Sequence, residues 1–212
     1  GGDVEVRRRY AAGRTNHEVM MRGAFTNPKL VNELAAGHTA DLPCHTWNAA
    51  HDRLLPAYDA AQSFGDARRF VIFAGRNYGA GSSRDWAAKA PALLGVRAIV
   101  AGSYERIHRS NLIGMGIFPL ELEDGGDRHD FCRDGTETID FEPGELRVGR
   151  HAVPARIRRA GGETRELRVI CRIDSARELL YLKHRGVLRH IVLKTLGATD
   201  NAAPPDTPRS RK

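Results

Sequence analysis

The sequence predicts an α/β domain: a mainly parallel β-sheet flanked by helices, with additional short strands in its second half. Three observations predict it. Residues 69–122 alternate short apolar, β-branched runs with helical stretches, in the order strand, helix, strand, helix, strand. That alternation is the mark of parallel strands joined by crossover helices. Each run is short and apolar almost throughout, as a buried strand is. Beyond residue 135 the pattern changes to further short strands around Pro143-Gly144.

In chain order, residues 1–14 are polar and Arg-rich and form an N-terminal extension. Residues 16–34 read as loop then helix, with Met20 and Met21 as packing residues. Residues 35–56 read as a long loop, with Pro43 and Pro56 as breakers. Residues 69–74 form the first buried strand, which Gly75 ends. Ser82, Ser83 and Asp85 precede an Ala-rich stretch and signal a helix start; Pro91 and Gly95 punctuate its end. Residues 96–101 are the second strand and 104–112 a helix. Residues 117–122 are the third strand, interrupted by Pro119. A polar loop spans 123–135. Short strands follow at 136–141, 146–153 and 166–173. Ser175 opens an amphipathic helical stretch over 178–196, broken at Gly186. The tail, 197–212, is rich in Pro, small and charged residues and reads as disordered. One domain over 15–196 remains.

Composition bounds the function. The chain has 212 residues, which fits one domain at about 100–200 residues each. No stretch approaches the ~18–20 apolar residues of a membrane span, and the N-terminus lacks the apolar region of a signal peptide. Cys44, Cys132 and Cys171 are scattered, so no disulfide framework is visible and the reading is a reducing, cytoplasmic protein. The net charge is +7, with 28 of 33 cationic residues Arg. The clusters at 7–9 and 156–159 read as solvated faces rather than phosphate-binding patches.

The most informative stretch is Tyr78-Gly79-Ala80-Gly81-Ser82-Ser83-Arg84-Asp85. It follows a strand and opens a helix. Glycines let the backbone turn sharply and approach a ligand closely. A helix N-terminus presents unpaired N–H groups and partial positive charge, where anions bind. Arg84 adds a planar fork suited to carboxylate or phosphate. The pattern is neither a dinucleotide fingerprint nor a Walker motif, and no nucleophile elbow is present. Two readings stay open on these grounds: an anion site with hydroxyls beside it, or a pair of serines that cap the helix.

The residues also carry a resemblance. Residues 75–89, residues 104–116, Asn16-His17-Glu18-Val19-Met20-Met21-Arg22-Gly23, and Cys171-Arg172-Ile173-Asp174 with the blocks after it resemble the C-terminal swivel domain of aconitases. The blocks run from about residue 15 to 196, in order, and are closer to the bacterial and cytosolic type than to the isopropylmalate isomerase small subunit. The resemblance implies a hydro-lyase that interconverts citrate and isocitrate through cis-aconitate. It implies that Ser82 is the base that removes the proton, and that Arg22, Ser83 and Arg84 bind substrate carboxylates. It also implies a [4Fe-4S] cluster whose ligands lie in preceding large domains. Cys44, Cys132 and Cys171 are too far apart in sequence for such a ligand set. The expected partners are therefore a tricarboxylate and a cluster-bearing large domain or subunit, without which the chain has no turnover. The opening Gly1-Gly2 favours an excised or processed chain over a separate subunit. A serine is a poor base unless its alkoxide is stabilised. Lowering its pKa by about five units takes roughly 7 kcal/mol. A helix N-terminus gives at most ~2 kcal/mol, so Arg84 and further N–H donors must supply the rest.

Other residues are weighed beside these. His108 reads as packing rather than catalysis. His129, His151 and His190 are isolated. His38, His45 and His51 with Cys44 match no common zinc pattern. Asn111 reads as a local hydrogen-bonding residue in a turn beside the site, with no chemistry. Arg22 is expected to approach the turn from a distant loop, and the cleft to be half open. Substrate choice among citrate, methylcitrate, homocitrate and phosphinate analogues is undecided. The alternatives are an RNA-binding aconitase relative, favoured by contiguous exposed arginines, and an inactive remnant.

Overall fold

The computed structural model describes residues 16–27, 29–35, 45–48, 53–65 and 69–197. The N-terminal extension and the C-terminal tail lie outside the described residues, apart from Gly197. Helix α1 (His17–Arg22) opens the described chain. The side-chain oxygen of Asn16 accepts from the Glu18 N–H at 2.9 Å and from the Val19 N–H at 3.4 Å. This N-cap starts the helix at once, so helix precedes loop here, the reverse of the expected order. A 3-10 turn follows at Glu33–Ala35.

The expected long loop over 35–56 holds a hairpin. Strands β1 (His45–Asn48) and β2 (Arg53–Pro56) pair antiparallel, with Trp47 opposite Leu54 in register. Pro56 is no breaker within a strand; it closes β2 and leads directly into helix α2 (Ala57–Ser63).

The main sheet is built from β3 (Phe70–Ala74), β4 (Val96–Ala101), β5 (Phe118–Leu122), β6 (Thr138–Phe141), β7 (Gly149–Arg158) and β8 (Thr164–Ile173). Helices α3 (Trp86–Leu94) and α4 (Arg106–Gly114) connect the first three strands. Helices α5 (Ala176–Lys183) and α6 (Val187–Thr195) end the described chain. The strand order is β3-β4-β5-β8-β7-β6. The α/β class stands, but the sheet is mixed rather than mainly parallel: β3–β4 and β4–β5 are parallel, and the three remaining pairings are antiparallel. Connection length is the reason. A parallel pair needs a crossover of a dozen or more residues. The turn from β7 to β8 is too short for one and is closed by Arg159 N–H to the Glu163 carbonyl at 3.0 Å.

Burial follows the pairing. In β4, Ile99 and Val100 are fully buried and belong to different apolar clusters, one on each face of the sheet. That is the environment of a parallel strand covered on both sides. In β7, His151, Val153, Ala155 and Ile157 are buried and alternate with exposed residues and the half-buried Arg156, so one face is covered. The exposed face carries the arginines. Arg156 pairs with Glu142 and Glu166, Arg158 with Asp140, and Arg159 with Glu163. Within the basic run 156–159, Arg156 and Arg158 are therefore paired on a solvated face, as the sequence suggested, while Arg159 is largely buried, and the run is not the free patch that an RNA surface needs. The run 7–9 lies outside the described residues.

A clasp ties the turn at residues 33–35 to the loop over 123–137. Glu33 accepts from Arg128, and His129 contacts Glu33 at 3.0 Å and Asp127 at 2.8 Å. Hydrogen bonding to Glu33, then to Asp127, raises the His129 pKa above 6.5. Burial lowers that of His108, against the opposing charge of Glu105. The two histidines therefore bracket their common reference. In a proton NMR titration His129 is expected to titrate above 6.5 and His108 below it; the reverse order would refute both environments. The stability that His129 adds is complete below 6.5 and is lost as pH rises through its folded value. For His108 the sign is opposite: stability is full above 6.5 and is lost as pH falls toward the depressed folded value.

Candidate functional site

The Gly-Ser-Ser-Arg turn lies beyond the C-terminal ends of two parallel strands. After β3 the chain passes through Asn77, which has φ +56, and Tyr78 makes a parallel bridge to Tyr104. The Tyr78 N–H donates to the Ser103 carbonyl and the Glu105 N–H to the Tyr78 carbonyl, both at 2.9 Å. These bonds extend the β3–β4 pairing to the lip of the sheet, the end at which open α/β sheets take ligands.

From there the chain turns. Gly79 has φ +88, and a Cβ there would lie 2.2 Å from the His108 ring, so only glycine fits. The Ala80 N–H donates to the Asn77 carbonyl at 3.1 Å and the Ser82 N–H to the Gly79 carbonyl at 3.3 Å. Ser82 is half-buried, and its Oγ accepts from the Arg84 N–H at 3.3 Å. Ser83 is exposed; its carbonyl accepts from Asn111 Nδ2 at 3.1 Å, and its hydroxyl has no hydrogen bond among the described residues. Helix α3 follows behind Asp85, whose side chain makes no capping bond. Neither serine caps α3. Of the two readings left open for the turn, the capping one holds only in part: Ser82 satisfies the Arg84 N–H just ahead of the N-cap, and neither serine bonds an N–H of α3.

Arg84 is exposed and has no ion-pair partner among the described residues. Arg22 closes α1, also exposed and without an ion pair among them. Helix α1 packs against α3, the helix that the turn opens. The Arg22 guanidinium stands 4.4 Å from the centre of the Tyr58 ring, a cation–π contact that fixes its direction. Arg22 thus belongs to a helix end rather than to a loop. A cleft of about 440 Å³ adjoins the turn, with Asp85, Ser110, Asn111, Arg177 and Glu178 among its lining residues. Ser82, Ser83 and Arg84 are not among its lining residues.

Little in the sequence signalled the roles of Tyr58 and Asn111. Tyr58 lay next to a supposed long loop. His108 is 2% exposed, against the Tyr78 ring at 5.3 Å, in keeping with its reading as a packing residue. Asn111 sits within α4, not in a turn, and it reaches a backbone carbonyl of the site itself. Its position one helical turn beyond His108 was the available signal.

Metal ligation is a different matter. Burial pushes the Cys132 thiol up to about 12 and the Cys171 thiol up to about 11, so both hold their protons. A cluster ligand must be a thiolate. Among the described residues no group of three or more His, Cys, Asp or Glu could hold a metal ion. The described residues do not fit an iron-sulfur cluster. Cys44, His38, His51 and the side chain of His45 lie outside the described residues, so the zinc arrangement does too. No helix among the described residues is long and apolar enough to cross a membrane.

The fold and the turn define an α/β domain with two serine hydroxyls, and an arginine without an ion pair among the described residues, just ahead of a helix. Residues 1–125 match the family model for the aconitase C-terminal domain. The chain belongs to that family. It is 43% identical over 186 residues to aconitate hydratase A of Legionella pneumophila, covering 87% of this chain and 20% of that protein. It is 45% identical over 180 residues to phosphinomethylmalate isomerase of Streptomyces viridochromogenes, covering 84% of this chain and 20% of that protein. Aconitate hydratase A of Escherichia coli K12 is 42% identical over 188 residues, covering 88% and 21%. The chain thus spans about a fifth of the length of the curated relatives it matches. Among solved structures, the 3-isopropylmalate dehydratase leuD of Methanocaldococcus jannaschii matches with a TM-score of 0.40 and 21% identity, over 70% of this chain and 84% of that one.

Proposed function

We propose that this domain supplies the base and the carboxylate-binding side of an aconitate hydratase, a hydro-lyase that converts citrate to isocitrate through cis-aconitate in the cytoplasm. Ser82 takes the proton from the carbon next to a substrate carboxylate. Ser83 and Arg84 hold one carboxylate at the head of α3, and Arg22 holds another from the end of α1. Two separated guanidinium groups fix the reacting carbon of a tricarboxylate against the base. The observation that carries this reading is the turn itself: two serine hydroxyls that cap no helix, beside an arginine with no ion pair among the described residues. Similarity to aconitate hydratases over most of this chain supports it. The free thiols Cys132 and Cys171 support a reducing compartment.

The described cysteines do not make a cluster site, so no step is assigned here to one. The [4Fe-4S] cluster of the proposed enzyme would be held by a larger partner domain or subunit that this domain closes over. Mixing this chain with a cluster-loaded partner that lacks its own swivel domain, and following cis-aconitate absorbance, tests the proposal. Turnover is expected with both components and not with this chain alone. A complex that forms and consumes no cis-aconitate would overturn the substrate assignment; turnover by this chain alone would overturn the division of labour.

A further inference from the structure

Helix α4 touches the turn at two points. His108 and Asn111 are three residues apart and lie on one face of the helix. His108 packs against Gly79, its Cβ and ring atoms filling the space that a Gly79 Cβ would take. Asn111 donates to the Ser83 carbonyl at 3.1 Å. Ser82 lies between these points, with its own N–H held by the Gly79 carbonyl at 3.3 Å. The helix is in turn fixed at its start and its middle. The Glu105 carboxylate accepts from the His108 N–H at 2.8 Å. Arg109 donates to the Arg172 carbonyl, Asp174 and Glu178.

The His108 side chain is an expensive floor. Both ring nitrogens are buried without a hydrogen-bond partner among the described residues, and a buried polar atom left unpaired costs about 1–3 kcal/mol. What the ring offers in return is a flat, stiff face that a branched apolar side chain lacks.

We propose that His108 and Asn111 are positioning residues that hold Ser82 at its working place, by clamping the Gly79 to Ser83 turn from below and from the side. This rests on the reading of Ser82 as the base. The clamp acts on alignment: misplacement by about 1 Å costs on the order of 100-fold in rate. A residue of this kind lowers kcat and kcat/KM together and leaves KM nearly alone.

Asn111→Asp keeps the size and replaces the donor with a second acceptor facing the Ser83 carbonyl. His108→Ala and Gly79→Ala are made singly; the His108 Cβ would itself lie 2.4 Å from a Gly79 Cβ, so removing the ring does not make room for one. In the complex reconstituted with a cluster-loaded partner and assayed with cis-aconitate, Asn111→Asp is expected to lower kcat about 10- to 100-fold with KM within about threefold. Amide exchange over residues 79–84 is expected to speed up by about 10-fold or more, while that of β4 stays as in the parent. Each alanine substitution is expected to speed exchange over residues 79–84 and to lower kcat, as Asn111→Asp does. Unchanged kcat with unchanged exchange would overturn the clamp. So would a loss of protection that spreads equally through β4, which marks a general structural role. Ser82→Ala is run beside them. If it loses turnover and Asn111→Asp does not, the clamp alone is wrong. If Ser82→Ala keeps turnover, the base reading is wrong and the clamp falls with it.

Discussion

Ser82→Ala is expected to lower turnover of the reconstituted complex by about 10²- to 10⁴-fold, the range that a lost general base removes. The fold should hardly register the change. Ser82 Oγ accepts one long bond, 3.3 Å from the Arg84 N–H, and such a bond adds no more than about 0.5–1.5 kcal/mol. The hydroxyl is not spent on capping α3, so the helix start survives its removal. Turnover and stability therefore separate, which is how a catalytic atom differs from a structural one. The requirement for an alkoxide makes the prediction sharper. About 7 kcal/mol must come from the surroundings, and the available sources are the Arg84 guanidinium and the first N–H groups of α3. Arg84→Gln should then also reduce kcat, because it removes a cation two residues from the developing charge that has no ion pair among the described residues. Steady-state kinetics with cis-aconitate, alongside thermal unfolding of each variant, checks both. Ser82→Ala with more than half of the parent turnover would remove Ser82 from the chemistry.

The parts of the molecule legible in the sequence are those set by neighbours along the chain. Strands β3, β4 and β5 are apolar runs, and their helices start and stop at residues that say so. Gly79 to Arg84 is a local pattern, and its place between strand and helix follows from the same runs. What was not legible is set by distance. The paired strands β1 and β2 have four residues each, too short for a period to show, and their pairing depends on residues apart in the chain. The antiparallel half of the sheet follows from connection lengths, which the sequence contains, but β7 and β8 both extend beyond their apolar runs because paired arginines and carboxylates continue the ladder on the exposed face. Asn111 meets Ser83 across 28 residues, and nothing near either residue announces the other. The same holds for Arg109, which lies in the middle of a recognised motif while its partners are 63 to 69 residues downstream.

Arg109→Met is expected to destabilise this chain by about 2–4 kcal/mol. The side chain is 4% exposed and donates to the Arg172 carbonyl at 3.1 Å, Asp174 at 2.8 Å and Glu178 at 2.8 Å. Removing one partner of a buried ion pair typically costs about 3–5 kcal/mol, because the other charge stays behind. Here Asp174 is 40% exposed and already paired with Arg172, so water and a second cation take up part of that loss. Glu178, at 14%, has only the Asp174 N–H and the Ser110 hydroxyl left. Urea unfolding should show the drop, and at about 2–4 °C per kcal/mol for a chain of this size the melting temperature should fall by roughly 5–15 °C. Arg109→Lys should recover little, since an ammonium cannot span three acceptors as a guanidinium fork does. Arg168→Met offers the contrast: its pair with Glu123 joins side chains that are 67% and 37% exposed and should cost less than about 1 kcal/mol. The decisive variant is Arg109→Met with Glu178→Gln. If the damage is the stranded carboxylate, the second substitution should restore about half of the loss. If it restores nothing, Arg109 acts through packing against α4 and β8, and the ion pair is incidental to the stability of the platform beneath the turn.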